Sequence, residues 1–200
     1  MAEANSLPWP PAPIRTERLV LRESESRDRA SFVELLTSPE VHTYLGGPRS
    51  RDECEGRLPE TPGKGPGHFV IERDGAMIGT VELKQRDLEA PDAVRPDAGK
   101  AELGYLLLPE AWGHGYAVEA CGAVLRWFAE ACPGEPVTLF TQTANTRSMR
   151  LASKLGFTEI HRFEAWGAAQ WMGVRSPAAQ PIRSQRQSSS TAATASISTS

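Results

Sequence analysis

Residues 100–120, KAELGYLLLPEAWGHGYAVEA, constrain the fold of this chain more than any other segment. Residues 101–108 are largely apolar on both faces, which predicts a central strand rather than an edge strand. Pro109 ends this strand because proline has no amide hydrogen to donate to a ladder. Two glycines, Gly113 and Gly115, follow, and then apolar residues recur at spacings of three and four. The segment therefore predicts a buried strand, a glycine-rich loop and a helix in direct succession.

The loop at residues 112–117 has the features of an anion site. Its two glycines allow the backbone to approach a ligand and to turn several N–H groups in one direction. The first turn of the following helix adds N–H groups that have no partner inside the helix, and a phosphate fits such an arrangement. From the glycine spacing alone, a tight turn without a ligand remains an equal alternative.

The same segment resembles the acetyl-CoA-binding core of the GNAT N-acetyltransferase superfamily. Its pattern P-E-x-W-G-x-G-Y-A-x-E-A is similar to the branch that acetylates the N-termini of ribosomal proteins, and it matches at every fixed position. Trp112 departs from the general superfamily pattern, which has Arg or Gln at this place. The resemblance implies a mixed α/β fold, with a GNAT-like central mixed sheet of about six to seven strands and helices on both faces.

The resemblance also implies where acetyl-CoA, the donor substrate, would bind. The backbone N–H groups of residues 113–116 would hold the pyrophosphate, and the strand end would run beside the pantetheine arm, where a free amide would stabilise the oxyanion. The donor contacts expected in this segment are Leu106, Leu107, Leu108, Trp112, Gly113, His114, Gly115, Tyr116 and Ala117. The side chain of His114 is either a further contact or an exposed loop residue.

A second segment, residues 145–157, has the spacing N-x-x-S-x-x-L-x-x-K-L-G-F. It resembles the superfamily segment in which the asparagine, here Asn145, bonds pantetheine. Many members carry a tyrosine at the place of Ala152 that protonates the leaving thiolate, and this chain lacks it. In the ribosomal branch, a serine at the place of Ser148 is the proposed substitute. The alternatives are that Asn145 only caps a helix and that Ser148 is a solvated serine.

Glu102 is the candidate general base. A carboxylate early in an otherwise apolar strand is costly unless it is paired or partly wet, and burial would raise its pKa toward values useful for catalysis. It also lies upstream of the glycine loop, where many superfamily members carry a glutamate base. The alternative is a structural glutamate paired with Lys100 or Arg162.

Composition excludes several other classes of protein. The chain has 200 residues, of which 40% are apolar and 24% charged, as expected for one soluble domain. No apolar run is long enough to span a bilayer, and the N-terminus does not resemble a secretory signal, which predicts a cytoplasmic protein. The three cysteines form no C-x-x-C pair and the four histidines are scattered, so no metal site is expected.

Charge indicates the kind of partner. The net charge is −3 at pH 7, and three arginines lie from Arg175 onward, where there are no acidic residues. The preceding body is therefore more acidic than the whole chain, which disfavours nucleic acid and mildly favours a cationic partner such as an amine. Acidity that serves solubility alone is the other interpretation. The expected partners are acetyl-CoA and an amine, without nucleic acid or membrane, for a monomer or a homodimer.

The chain divides into three parts. Residues 1–15 are proline-rich and predict an extended lead-in, residues 16–175 form the acetyltransferase domain, and the Ser/Thr/Ala-rich residues 176–200 predict a disordered tail. Within the domain, strands are expected at residues 16–23, 68–73, 76–84, 101–108, 137–143, 158–163 and 170–174. Between the first two strands we expect helices, one of them a short helix that begins at Ser38-Pro39 and continues through Tyr44.

Together these features predict an acetyl-CoA-dependent N-acetyltransferase. Its acceptor would be a primary amine, either a protein N-terminus or a small amine such as an aminoglycoside or a polyamine. Direct attack in a ternary complex is favoured over an acetyl-cysteine because no cysteine lies near the loop and Glu102 in the sequence. A catalytically weak acyl-CoA-binding sensor remains the alternative, since the tyrosine is missing.

Overall fold

The computed structural model describes residues 12–89 and 94–176, and most of the predicted lead-in and tail lies outside these residues. Within the described part of the chain there are four α-helices and eight strands, and the strands form one sheet. The strands are β1 Ile14–Arg15, β2 Val20–Arg22, β3 His68–Arg73, β4 Ala76–Gln85, β5 Ala101–Leu107, β6 Val137–Gln142, β7 Thr158–Ala165 and β8 Ala168–Arg175. The helices are α1 Arg29–Thr37, α2 Arg51–Arg57, α3 Tyr116–Ala131 and α4 Thr146–Lys154. Helices α1, α3 and α4 pack against the sheet, and α2 packs on α1.

The predicted mixed α/β class is confirmed, and the strand count is higher than the expected six to seven. The additional strand is β1, two residues long, in the stretch expected to be an extended lead-in. Ile14 pairs with Leu21 and Arg15 with Val20, so this short segment adds an antiparallel edge to the sheet. In the sequence, the prolines around this segment favoured an extended lead-in over a strand. Proline is nevertheless tolerated in and beside an edge strand, which is where β1 lies.

The strand order is β1-β2-β3-β4-β5-β6-β8-β7, which confirms that β5 is central. Among these neighbours, β5 and β6 are parallel and the other pairs are antiparallel. The ladder between β4 and β5 runs the full length of β5, but the ladder between β5 and β6 has two pairs, Ala101 with Val137 and Glu102 with Thr138. Beyond Glu102 the two strands continue without pairing, so a gap opens between them.

The two faces of the sheet carry separate cores. The larger core lies under α3 and α4 and includes Leu103, Leu107, Ala120, Val124, Leu125, Leu139 and Leu151. The smaller core lies under α1 and comprises Phe32, Leu35, Val70, Met77 and Leu108, with Leu106 packed against it. Because side chains alternate along a strand, the odd-numbered residues of β5 face α3 and the even-numbered residues face α1.

The short helix expected through Tyr44 is absent from the described residues, and a series of turns stands in its place. Ser38 still caps the segment, since its Oγ accepts a hydrogen bond of 3.2 Å from the N–H of Val41. Gly46 and Gly47, both with positive φ, end the turns before a helix is established. In residues 12–89 and 94–176, no helix combines the length and apolarity needed to cross a membrane.

Candidate active site

The glycine-rich loop connects the open end of β5 to α3. After β5, a single turn of 3-10 helix at Pro109–Ala111 leads into the loop, and α3 begins at Tyr116. Gly113 and Gly115 both have φ of 82°, a left-handed conformation that would strain any residue with a side chain. No side chain of the described residues caps the N-terminus of α3. Its first N–H groups are therefore available to an anionic ligand.

Trp112 fastens the loop to the end of β5. Its indole Nε1 donates a hydrogen bond of 2.8 Å to the carbonyl oxygen of Leu107. The guanidinium of Arg147, in the first turn of α4, lies 4.6 Å from the centre of the indole ring, within range of a cation–π contact. Thus Trp112 occupies the position at which the superfamily pattern has Arg or Gln, and Arg147, from the second predicted segment, places its positive charge on the Trp112 ring.

A second arginine holds the other side of the loop. Arg18 donates a hydrogen bond of 3.0 Å to the carbonyl oxygen of His114 and forms an ion pair of 2.6 Å with Glu119. Thr16 also donates to Glu119, at 2.6 Å. Burial alone would raise the pKa of Glu119, but these hydrogen bonds outweigh burial and lower the pKa. The glutamate of the sequence pattern therefore ties the start of α3 to the chain before β2.

The side chains of His114 and Tyr116 have different environments. His114 is exposed and its ring stacks on that of Tyr116 at a centroid distance of 5.4 Å. Tyr116 is buried, and the guanidinium groups of Arg18 and Arg73 lie 4.7 and 4.9 Å from the centre of its ring. If acetyl-CoA binds at the loop, Tyr116 would therefore contact it through the backbone N–H of Tyr116. The two arginines were missed because they lie far away in the sequence.

The backbone of β5 narrows the candidates for an oxyanion donor. The N–H of Leu108 donates to Ile78 in β4 at 2.9 Å, so it is occupied. Because N–H groups alternate in direction along a strand, the N–H of Leu106 also faces β4, whereas that of Leu107 faces the gap. The carbonyl of Ala101, which accepts from Thr138 on the β6 side at 2.9 Å, agrees with this alternation.

Glu102 lies on the α1 face of the sheet, apart from the loop and Ser148 on the α3 face. Its carboxylate pairs with Lys84 of β4 at 2.9 Å, and its side chain is 18% exposed. The expected alternative partners, Lys100 and Arg162, were wrong, since cross-strand pairing brings Lys84 opposite Glu102 and Arg162 pairs with Glu159 at 2.8 Å. Beyond Glu102 the ladder between β5 and β6 has ended, so no backbone pairing closes the sheet between its two faces there.

A second carboxylate on the α1 face was missed by sequence reasoning. Glu82 lies opposite Gly104, two residues further toward the open end of the gap than Glu102. A Cβ atom on Gly104 would be 2.8 Å from Glu82 Oε1, so the glutamate side chain lies across the glycine. His68 Nδ1 is 3.7 Å from Glu82 Oε2. Burial lowers the pKa of His68, and Glu82 opposes this shift.

The second predicted segment forms the beginning of α4. Asn145 is its N-cap, and Asn145 Oδ1 accepts a hydrogen bond of 3.1 Å from the N–H of Ser148. Ser148 Oγ is 2.6 Å from the phenol oxygen of Tyr105, which the sequence had indicated only as an apolar strand residue. Ala152, at the place of the superfamily tyrosine, is fully buried. The structure thus brings a different tyrosine to Ser148, from β5 rather than from α4.

The remaining reactive side chains lie away from the gap or are unsuited to it. Cys121 is completely buried on α3, and burial strongly raises the pKa of its thiol, so it carries no thiolate at neutral pH. Among residues 12–89 and 94–176, no group of three or more His, Cys, Asp or Glu side chains is placed to hold a metal ion.

Comparison with known proteins identifies the family. Residues 18–158 match the model of the acetyltransferase (GNAT) domain. The chain belongs to the GNAT acetyltransferase family. Among its relatives, this GNAT protein is 29% identical over 159 residues to the uncharacterized protein YkkB of Bacillus subtilis (strain 168), a match that covers 76% of this chain and 88% of that protein. It is 25% identical over 152 residues to the uncharacterized N-acetyltransferase p20 of Bacillus licheniformis, covering 72% and 81%.

Solved GNAT structures share the fold. A GNAT-family acetyltransferase from Bacillus anthracis superposes with a TM-score of 0.68 at 19% identity, covering 83% of this chain and 99% of that chain. Spermidine N-acetyltransferase from Vibrio cholerae, in complex with CoA and spermine, gives 0.62 at 18% identity, covering 81% and 97%. An acetyltransferase from Salmonella typhimurium that modifies the N-terminal serine of ribosomal protein L7/L12 gives 0.60 at 16% identity, covering 82% and 99%.

Proposed function

We propose that this GNAT protein transfers an acetyl group from acetyl-CoA to a primary amine by direct attack in a ternary complex. One observation carries the proposal. The ladder between β5 and β6 ends after Glu102, and the resulting gap leads to the uncapped N-terminus of α3 behind a glycine loop. A gap next to an anion site accommodates a long ligand with a phosphate at one end and a reactive group at the other.

The donor would be held along this path. The N–H groups at the start of α3 would bind the pyrophosphate, and Arg147, fixed on Trp112, adds positive charge beside the loop. The pantetheine arm would lie along the C-terminal half of β5. Asn145 would bond it through Nδ2, because Oδ1 is used in capping α4 and Nδ2 has no hydrogen bond within the described residues.

The chemistry requires three groups around the thioester. The N–H of Leu107, directed into the gap, would stabilise the oxyanion. Glu102 would take the proton of an ammonium acceptor directly or through water, and Glu82 is the other carboxylate within the same face of β4 and β5. Ser148 would donate a hydrogen bond to the leaving thiolate. The amine nitrogen then attacks the carbonyl carbon and loses its second proton to water. The C–S bond breaks with its electron pair on sulfur, and CoA leaves as a thiolate that solvent protonates.

An acetyl-cysteine intermediate is disfavoured. Cys121 is the cysteine nearest the gap in sequence, but it is completely buried with a raised thiol pKa. Cys54 and Cys132 are also buried, the former on α2 and the latter at the far end of α3. A cysteine buried in the core is inert as a nucleophile. The amine would therefore attack acetyl-CoA directly.

The acceptor we propose is a cationic primary amine. Two of the solved relatives acetylate such groups, one on spermidine and the other on the N-terminal serine of a ribosomal protein. In this chain, Glu82 and Glu102 place two carboxylates on the α1 face, where an acceptor would approach the gap. Carboxylates attract an ammonium group, so polyamines, aminoglycosides and peptides with a free N-terminus are all suitable acceptors.

A steady-state assay of CoA thiol release tests the proposal. Purified protein and acetyl-CoA would be combined with polyamines, aminoglycosides and peptides that have free N-termini, and we expect amine-dependent release with at least one class. The second candidate, an acyl-CoA-binding sensor without turnover, is favoured by one observation, the alanine at position 152. Tight acetyl-CoA binding without release for any of these acceptors would support the sensor and contradict the transferase.

A further inference from the structure

In the part of the chain that the structure describes, one side-chain hydrogen bond joins β5 to α4 beside the gap between β5 and β6. Tyr105 lies three residues beyond Glu102, where β5 no longer pairs with β6, and Ser148 lies in the first turn of the helix that follows β6. Their hydroxyl oxygens are 2.6 Å apart. The bond therefore joins the two sides of the gap along which the donor would lie, and it does so at a residue that the proposed reaction uses.

The direction of this hydrogen bond follows from the chemistry of the two hydroxyls. Tyr105 is largely buried, and burial raises its pKa to about 12. The phenol therefore keeps its proton at any pH near neutrality. The oxygen positions are compatible with either direction, and because a phenol is more acidic than an aliphatic alcohol we assign the Tyr105 O–H as the donor and Ser148 Oγ as the acceptor.

Ser148 is consequently left with a hydrogen of its own to donate. Tyr105 is the hydrogen-bond partner of Ser148 Oγ within the described residues, and no other partner is present there. The backbone N–H of Ser148 is held by Asn145 Oδ1 at 3.1 Å. Backbone and hydroxyl are therefore both fixed, and a donor fixed before the reaction stabilises developing charge without the cost of reorienting.

We propose that Tyr105 is a positioning residue that aims the Ser148 hydroxyl hydrogen at the sulfur of CoA. This inference rests on the transferase proposed above. When the C–S bond breaks, its electron pair goes to sulfur, and the thiolate accepts a hydrogen bond from Ser148 until solvent supplies a proton. Tyr105 keeps its own proton throughout, so it differs from a tyrosine that protonates the thiolate directly. The missing tyrosine at position 152 is replaced in effect by two hydroxyls.

The experiment measures the pKa of the CoA thiol in the bound state. Ultraviolet absorbance of the thiolate would be recorded against pH for the CoA complex, with the complex of desulfo-CoA subtracted to remove the signals of the protein. The wild type, Tyr105→Phe and Ser148→Ala would be compared, and Tyr44→Phe, on an exposed turn, would serve as the control. This titration needs no acceptor, so it is independent of which amine the protein acetylates.

We expect the wild type to lower the thiol pKa, and both Tyr105→Phe and Ser148→Ala to raise it again by about one to two pH units, the size of a hydrogen bond to a charged group. The control should titrate like the wild type. A merely structural Tyr105 predicts weaker CoA binding or a lower Tm with an unchanged thiol pKa, and that result would overturn the inference. If calorimetry detects no binding of CoA to the wild type, the proposed function fails, and the inference fails with it.

Discussion

The ammonium group of Lys84 lies 2.9 Å from the carboxylate of Glu102, across the antiparallel ladder of β4 and β5. Lys84 is 52% exposed, so this ion pair is only partly shielded from water. Pairs of this kind contribute about 0–1 kcal/mol to stability. A substrate ammonium can therefore exchange with Lys84 at little cost, and the proposed role of Glu102 as base is compatible with its partner.

Glu102→Gln tests this role because it keeps the shape of the side chain and removes its basicity. We expect kcat to fall by about a hundredfold to ten-thousandfold, with acetyl-CoA affinity nearly unchanged. The acidic limb of the pH–rate profile should flatten. Steady-state kinetics over a pH series, together with calorimetry, would measure these effects.

Glu82→Gln is the matched variant, since Glu82 lies on the same face two residues along β4 from Lys84. If Glu102→Gln is stable and its kcat is within about twofold of the wild type, well short of the contribution of a general base, the assignment is wrong. A large loss of kcat in Glu82→Gln alone would then indicate that Glu82 is the general base. A fall in Tm with normal kinetics would make Glu102 structural.

Gly115→Glu should abolish acetyl-CoA binding. A side chain and a negative charge would occupy the space in which the N–H groups of the loop meet the phosphates. The new residue would also be strained at φ of 82°, so the control is Gly134→Glu, at φ of 91° beyond the end of α3 with open space around it. Unchanged affinity by calorimetry in folded Gly115→Glu protein would contradict the placement of the donor.

Arg147→Gln should weaken acetyl-CoA binding by about fivefold, because it removes a positive charge held on Trp112 beside the loop. The loss should be smaller at high salt, since exposed charges are screened. Arg150→Gln, exposed on the same helix, is the matched control. Equal affinities of the two variants, measured by calorimetry at low and high salt, would show that Arg147 has no part in binding.

Asp28→Ala should destabilise the fold by about 1.5–3 kcal/mol, because the buried guanidinium of Arg22 loses the hydrogen bonds to Asp28 while it keeps its ion pair with Glu72. The two side chains are 3% and 8% exposed and 2.7 Å apart. Urea denaturation of both proteins at neutral pH would measure the difference. A loss below about 1 kcal/mol, as expected of an exposed pair, would contradict the burial of this ion pair.

The same ion pair predicts a pH dependence of stability. Burial would raise the pKa of Asp28, but hydrogen bonds from Arg22 and from the N–H of Glu25 outweigh it, and the pKa is lowered in the folded state. The contribution is therefore fully present above the pKa of the unfolded chain, about 3.9, and is lost as pH falls through the folded value. Asp28→Ala should remove this part of the acid sensitivity. If the free energies of unfolding of variant and wild type fall in parallel as the pH drops below 4, the proposed contribution of Asp28 is contradicted.

The local order of the chain was predictable from sequence. The central strand was predictable at residues 101–108, because a short apolar run that ends at a proline is typical of a buried strand. The start of α3 followed from the two glycines and from the apolar period after them. Such signals are contained within one contiguous segment, and they do not depend on which distant strand pairs with which.

The contacts across the sheet were not predictable in this way. The pairing of Lys84 with Glu102 depends on the register between β4 and β5, and the bond from Tyr105 to Ser148 depends on where β5 and β6 separate. In the sequence, Tyr105 is indistinguishable from a core residue, because its apolar ring packs in the core while its hydroxyl reaches α4. Register and strand separation are properties of the assembled sheet, so a single segment does not contain them.

The most direct test of the transferase follows the acetyl group itself. The protein would be incubated with acetyl-CoA labelled in the acetyl group and with polyamine, aminoglycoside and N-terminal peptide acceptors, and the amines would be analysed by mass spectrometry. We predict a labelled amide on one class of amine with the wild type and none with Gly115→Glu. Labelled acetyl-CoA that stays bound and intact, with no labelled amide on any acceptor, would contradict the account.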